Sequence, residues 1–288
     1  MQWVVLEINI LRIIPLIIRR ITADRISCGL KYFLSQGTAS LILIFFFIVG
    51  VGVENIIQIV LLLKLGIPPF HSWVLRVLDC AHPFTQWILF TTQKFIPLNI
   101  IREISLRFFL FQLILVRTIL LLLFSHVYSI TRILFLSSAR NIIGAIIILM
   151  GRSLWIIYLL IYVIRIRVFI IFLSRTIRFR FSSLALTRPN KIFLFSLLLF
   201  NLGGIPPMVG FLLKLISLKF FIEFGGIVVF VFLLISLLIL RIYISISYWA
   251  WGASQPFLDV HLVNKSNWLI EVIVVFMLVL PLAIYLHI

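Results

Sequence analysis

Apolar segments of membrane-spanning length follow one another along almost the whole chain, which leaves little freedom in what it can fold into. A helix needs roughly 20 apolar residues to cross about 30 Å of hydrocarbon, and lipid satisfies no backbone polar group, so such segments must be helical. With 64% hydrophobic and 11% charged residues and a mean hydropathy of +1.27, too little polar surface remains to coat a soluble globule. Ten spans are expected, at residues 3–18, 29–52, 55–78, 84–101, 106–126, 130–150, 153–173, 191–222, 227–250 and 267–287. The expected fold class is all-α, a polytopic membrane protein of about ten helices. The longest polar intervals, 174–190 and 252–266, are loops rather than domains, so residues 1–288 form a single transmembrane domain.

Two of these runs are interrupted by adjacent prolines, in L-G-I-P-P-F-H (Leu65 to His71) and L-G-G-I-P-P-M-V-G-F (Leu202 to Phe211). Proline removes a backbone N–H and clashes with the preceding turn, so a lipid-exposed helix does not tolerate two in succession. Pro68, Pro69, Pro206 and Pro207 therefore mark helix breaks along a buried, hydrated path. Paired breaks in the two halves of a chain are the sequence mark of transporters built from repeats, with ion sites at the break.

Four candidates stand out among the ionisable residues at membrane depth, where a charge costs at least ~2.5–3.5 kcal/mol and persists mainly when paired or useful. Glu7 lies in W-V-V-L-E-I-N-I-L, Lys64 precedes the first break, Lys94 lies in F-T-T-Q-K-F-I-P, and Lys214 follows the second break. A buried lysine loses proton affinity by desolvation and regains it from a nearby carboxylate, so such a set can pass protons. The competing reading is that these lysines snorkel to the headgroups from helix ends. Other chemistry is poorly served. Cys28 and Cys80 are isolated and read as inert thiols, and His71, His82, His126, His261 and His287 lack metal-ligand spacing. No nucleotide-binding loop or iron–sulfur cysteine cluster is present.

The strings L-E-I-N-I-L-x-I-I-P-L, L-K-Y-F-L-S-Q-x-x-A-S, K-L-G-I-P-P-F-H-S-W-V, Q-K-F-I-P-L, L-S-S-A-R-N-I-I-G and L-G-G-I-P-P-M-V-G-F-L-L-K resemble the chain 2 family of NADH dehydrogenase. These are antiporter-like membrane subunits of mitochondrial respiratory complex I. The strings occur in the family's order, cover residues 3–215 well, and are highly specific as a set. The resemblance implies two five-helix repeats of inverted topology, each with one discontinuous helix at a Pro-Pro break. Residues 1–126 would form the first repeat, 127–250 the second, and 251–288 a loop and C-terminal helix. It implies that Glu7, Lys64, Lys94 and Lys214 form a proton relay, with Glu7 and Lys64 as a charge pair, Lys94 as the central link and Lys214 as the exit. It implies a proton-translocating subunit of NADH:ubiquinone reductase in the mitochondrial inner membrane. No cofactor is expected in this chain, since NADH, flavin, iron–sulfur clusters and ubiquinone belong to other subunits. The expected partners are other membrane-arm subunits and the lipid bilayer, not nucleic acid. The alternatives are a stand-alone cation/proton antiporter and a passive membrane scaffold.

Two departures from the family pattern stand out. The family has one further helix before the glutamate-bearing one, and the six residues before Glu7 would span only about 9 Å as helix, so an additional upstream segment is expected; the alternative is that Glu7 lies nearer one membrane surface than the family pattern implies. The second departure is charge: 18 arginines stand against 8 acids, for a net +17, and Arg12, Arg117, Arg140, Arg165, Arg167 and Arg241 fall within apolar runs. Arg165 and Arg167 share one run with no acid in it, a cost of at least ~5 kcal/mol on the insertion scale. The chain also has 51 isoleucines and 4 methionines, where animal members of the family tend to be methionine-rich. Both biases fit an invertebrate mitochondrial gene read in the standard code, which turns serine codons into arginine and methionine codons into isoleucine. Arg132 and Arg241 are excepted, because the family commonly has a basic residue at those positions. The alternative is a truly basic chain whose arginines meet partner acids or lipid phosphates. On the first reading, peptide mass spectrometry over Ile161 to Arg180 finds serine at positions 165 and 167. Arginine masses there would establish the second.

Overall fold

The computed structural model describes residues 2–19, 21–49, 54–103, 129–150, 155–176, 189–206, 208–222 and 226–252. Every regular element among them is a helix: α1 (Gln2–Ile17), α2 (Ala23–Val49), α3 (Glu54–Leu65), α4 (Ser72–Cys80), α5 (Pro83–Phe90), α6 (Thr92–Glu103), α7 (Ile130–Met150), α8 (Trp155–Thr176), α9 (Pro189–Gly203), α10 (Val209–Ile222) and α11 (Gly226–Gly252). Among the described residues, four helical stretches are long and apolar enough to cross a bilayer: Ala23–Ile48, Ile130–Leu149, Trp155–Ser174 and Val229–Gly252. The spans expected at 106–126 and 267–287, together with Pro207, lie outside the described residues.

The chain divides into two compact units, Met1–Leu120 with Leu134–Met150, and Leu121–Ile133 with Gly151–Ile288. In the first, α2 packs on α1, α3 and α4, while α6 packs on α1, α3 and α5. In the second, α9 and α10 pack on each other and on α8 and α11.

Helix α2 shows why these helices belong in lipid. Cys28, Tyr32, Gln36, Ala39, Ser40 and Leu43 recur every three or four residues and are buried, whereas Leu30, Leu34, Leu41, Phe45 and Ile48 on the outer face are exposed. The outside is thus more apolar than the inside, the reverse of a soluble amphipathic helix. It starts six residues before the expected point, with Asp24 in the first turn, where a helix N-terminus favours a carboxylate. The packing of α2 on α4 also brings Cys28 and Cys80 to a Cα separation of 6.7 Å, where they form a disulfide. The expectation of two isolated thiols is therefore corrected. A sequence separation of 52 residues concealed a contact that only helix packing creates.

The helix ends at the two breaks are built the same way. At the first, Gly66 adopts φ +66° and two bonds close the turn, Gly66 N–H to Leu63 C=O at 3.0 Å and Ile67 N–H to Leu62 C=O at 3.1 Å. At the second, Gly204 adopts φ +68°, with Gly204 N–H to Asn201 C=O at 3.2 Å and Ile205 N–H to Phe200 C=O at 3.3 Å. This pair of bonds around a left-handed glycine is the Schellman motif, which satisfies carbonyls that the ending helix orphans. A further turn then spans each proline pair, from Phe70 N–H to Ile67 C=O at 3.0 Å and from Met208 N–H to Ile205 C=O at 2.8 Å. The expected span 55–78 is thus split into α3 and α4, and 191–222 into α9 and α10.

The span expected at 84–101 is also divided, although no glycine or proline marks the point. Thr91 and Thr92 turn their hydroxyls back onto the carbonyls of Trp87 (2.8 Å) and Ile88 (3.0 Å), and α5 ends there.

A side chain at either break glycine meets two obstacles. An L-residue in the left-handed region costs about 1–2 kcal/mol, and a Cβ at Gly66 would collide with Val74 while one at Gly204 would approach Lys214 Cε to 2.8 Å. Gly66→Ala and Gly204→Ala are each expected to destabilise the protein by at least about 1–2 kcal/mol. Thermal denaturation of the purified variants measures this directly.

Candidate functional site

The first unit gathers three of the four ionisable residues. Lys64 occupies the last turn of α3, immediately before the break, and is only 4% exposed. The partial negative charge of a helix C-terminus favours a cation there. Its own carbonyl receives Gln36 Nε2 at 3.3 Å from α2. Half-buried Glu7 lies on α1, between the buried row Leu6, Ile10, Ile13 and an outer row of exposed apolar residues. The Glu7 carboxylate acts electrostatically on both Lys64 and Tyr32. Yet Glu7 Oε1, Lys64 Nζ and the Tyr32 hydroxyl are all sealed from solvent, with no protein hydrogen-bond partner among the described residues. Glu7 and Lys64 are therefore coupled through space rather than locked by a direct hydrogen bond.

Lys94 sits on α6, which packs against both α1 and α3. It is 5% exposed, and Nζ donates to Ser138 Oγ of α7 at 3.1 Å while lying 5.3 Å from the centre of the Phe90 ring. Its described partners are thus a hydroxyl and an aromatic face, both neutral. Snorkelling places an ammonium in water or headgroups, and neither Lys64 nor Lys94 does so.

Lys214, half-buried, belongs to the second unit. Side chains of a helix lean toward its N-terminus, and the Lys214 stem accordingly lies back over Gly204, where an added Cβ would come within 2.8 Å of Cε and 3.0 Å of Cδ. Although it follows its break in sequence, Lys214 thus packs on the turn that ends α9. Pro68 is buried, and Pro69 and Pro206 are exposed.

Several side chains at these places escaped the sequence reading. Tyr32 is fully buried, tilted against Trp73 with ring centres 5.9 Å apart, and Trp73 Nε1 donates to the Leu63 carbonyl at 3.2 Å. At the second break the corresponding carbonyl, Asn201 C=O, receives Arg165 Nη1 at 3.4 Å. Arg165 is 2% exposed, so that carbonyl supplies part of the compensation a buried guanidinium needs, whereas Arg167 on the same helix is exposed. The Asn201 side chain bridges the break, its Oδ1 accepting from Gly210 N–H at 2.9 Å. The local sequence signal for Tyr32, Ser138 and Asn201 is a polar atom inside an apolar run, and Tyr32 and Ser138 also fall within strings that resemble the family. That pattern also fits a routinely satisfied core residue.

No family model matches the chain. NADH-ubiquinone oxidoreductase chain 2 of Didelphis virginiana is 31% identical to it over 270 residues, covering 85% of this chain and 78% of the relative. The chain belongs to the NADH-ubiquinone oxidoreductase chain 2 family. The family member from Aedes aegypti is 30% identical over 295 residues, 93% of this chain and 82% of its own length. Solved structures show the family's fold more widely. A chain of respiratory complex I from Thermus thermophilus with bound Aureothin superposes with a TM-score of 0.76 at 20% identity, over 97% of this chain and 72% of that one. A chain of the Mrp complex from a Dietzia species gives 0.73 at 20% identity; the match covers 92% of this chain but only 58% of the Mrp chain. The fold is therefore shared with these chains of complex I and of the Mrp complex.

The Asn201 bridge generates a prediction of its own. Asn201→Ala leaves the Gly210 N–H buried and unpaired, which costs about 1–3 kcal/mol. The expected result is a lower unfolding temperature, and chymotryptic cleavage near Phe211 that is faster than in the unaltered protein.

Proposed function

We propose that the chain is a proton-translocating membrane subunit of the respiratory NADH:ubiquinone oxidoreductase, a multi-pass protein of the mitochondrial inner membrane surrounded by other membrane-arm subunits. The single observation that carries this reading is the burial of Lys64 and Lys94 on neighbouring helices beside a helix break, in a chain of this family. Glu7, Lys64, Lys94 and Lys214 form the relay. A charge change next door draws the Glu7 carboxylate from Lys64 and removes the interaction that holds the lysine's proton. The proton passes to Lys94 and on to Lys214, which releases it. Water carries it between residues that share no direct hydrogen bond.

Residues 1–126 and 127–250 are the two inverted repeats in this reading, and the matching backbone bonds at the two glycine-proline breaks support it. NADH, flavin, iron–sulfur clusters and ubiquinone are held by other subunits, and coupling to them is electrostatic. In support, the chain belongs to the chain 2 family of that oxidoreductase.

Lys64→Ala and Lys214→Ala, each in the assembled complex in closed membrane vesicles, are expected to lower proton translocation per NADH at least about tenfold, or ~1.4 kcal/mol of barrier. Assembly and NADH oxidation by the peripheral subunits persist. Unchanged translocation in both would establish a scaffold instead, and cation/proton exchange by the chain alone in liposomes would establish a stand-alone antiporter.

A further inference from the structure

We propose that Ser138 is a positioning residue for Lys94: a buried hydroxyl that reverses the direction of its O–H as the lysine gains and loses its proton. The proposal rests on the relay reading above and adds to it the group that keeps its central lysine satisfied in both protonation states.

The hydrogen bonds at Ser138 have a defined direction. An ammonium has three N–H groups and no lone pair, so Ser138 Oγ accepts from Lys94 Nζ, at 3.1 Å. The single hydroxyl proton then goes to the Phe135 carbonyl, 2.7 Å away and one turn earlier on α7. Ser138 is fully buried and Lys94 nearly so.

Loss of the proton changes what Nζ requires. A neutral amine carries a lone pair, and a buried acceptor without a donor is costly. The Phe90 ring, 5.3 Å from Nζ, answers only the charged form, because its attraction is for a cation. Ser138 answers either form: rotation about its Cβ–Oγ bond swings the O–H from the Phe135 carbonyl to the amine without moving a heavy atom. Phe135 C=O, inside α7, keeps its helical partner throughout. Ser138 gains and loses no proton in this cycle. The lysine's proton leaves to the next member of the relay and is replaced from the previous one.

The neighbouring residue supplies a matched control. Ser137 is also fully buried on α7, and its Oγ has no protein hydrogen-bond partner among the described residues. Removing either hydroxyl alters packing by one oxygen atom, but of the two only Ser138 hydrogen-bonds to Lys94.

The test uses the assembled complex in closed membrane vesicles, with proton translocation and NADH oxidation recorded together and complex content measured on native gels. Ser138→Ala is expected to lower proton translocation per assembled complex about three- to tenfold, the range one net hydrogen bond supports. Ser137→Ala should pump as the unaltered complex does, and Ser138→Thr, which keeps the hydroxyl, should pump better than Ser138→Ala. Normal pumping by Ser138→Ala, equal losses in the two alanine variants, or a threonine variant no better than alanine would each overturn the proposal. Lys94→Ala separates the two levels of argument. If it pumps normally, the relay reading itself fails. If it stops pumping while Ser138→Ala pumps normally, the role of Ser138 alone is refuted.

Discussion

A helix that stops inside hydrocarbon leaves its last four carbonyls without intrahelical partners, and the way those carbonyls are answered governs the rest of this protein. At Gly66 and Gly204 the answer is a left-handed glycine followed by isoleucine, whose two N–H groups fold back onto the ending helix. A side chain then supplements the turn in each unit: Trp73 Nε1 binds the Leu63 carbonyl, and Arg165 Nη1 binds that of Asn201. Prolines placed directly after the turn prevent the helix from resuming in its old register. The chain thereby obtains stable helix ends at a depth where helices normally continue.

Those ends are electrostatic features as well as structural ones. A helix C-terminus carries a partial negative charge, and both break lysines lie against one. Lys64 does so as part of the last turn of α3, and Lys214 by folding its stem back over Gly204. In sequence the two lysines stand on opposite sides of their breaks. In space each is associated with the same end of the same turn. What separates them is the company they keep: Glu7 acts on Lys64 within its own unit, and the described residues of the second unit include no acidic side chain.

Much of this was legible from the residues because it is local. Gly-Ile-Pro-Pro dictates its turn through steric rules that hold in any surroundings, and a lysine within an apolar run announces a constraint by its solvation cost. The parts that escaped are those made by packing. Nothing in the spacing of Cys28 and Cys80 tells that α2 and α4 bring them together. Arg165 reads as an expense until the Asn201 carbonyl appears beside it. The break at Thr91 lacks both glycine and proline, and its cause, two hydroxyls turned back on their own helix, is visible in sequence only as consecutive threonines.

The contrast between Lys64 and Lys94 bears on how a relay can work with so few carboxylates. A lysine in direct contact with a carboxylate in a low dielectric is held in its charged form, and separating the two carries a large electrostatic cost. Here Glu7 acts on Lys64 without a direct hydrogen bond, so modest displacement of one charge alters the other. Lys94 is placed between a hydroxyl and an aromatic face, neither of which carries a net charge. A site built this way does not oppose the departure of the proton with a fixed counter-charge, and the hydroxyl can meet the amine that remains. In the proposed relay, through-space coupling at Lys64 and neutral, reorientable partners at Lys94 are two solutions to the same requirement. Each keeps a buried lysine bound firmly enough to hold its position and loosely enough to change its charge.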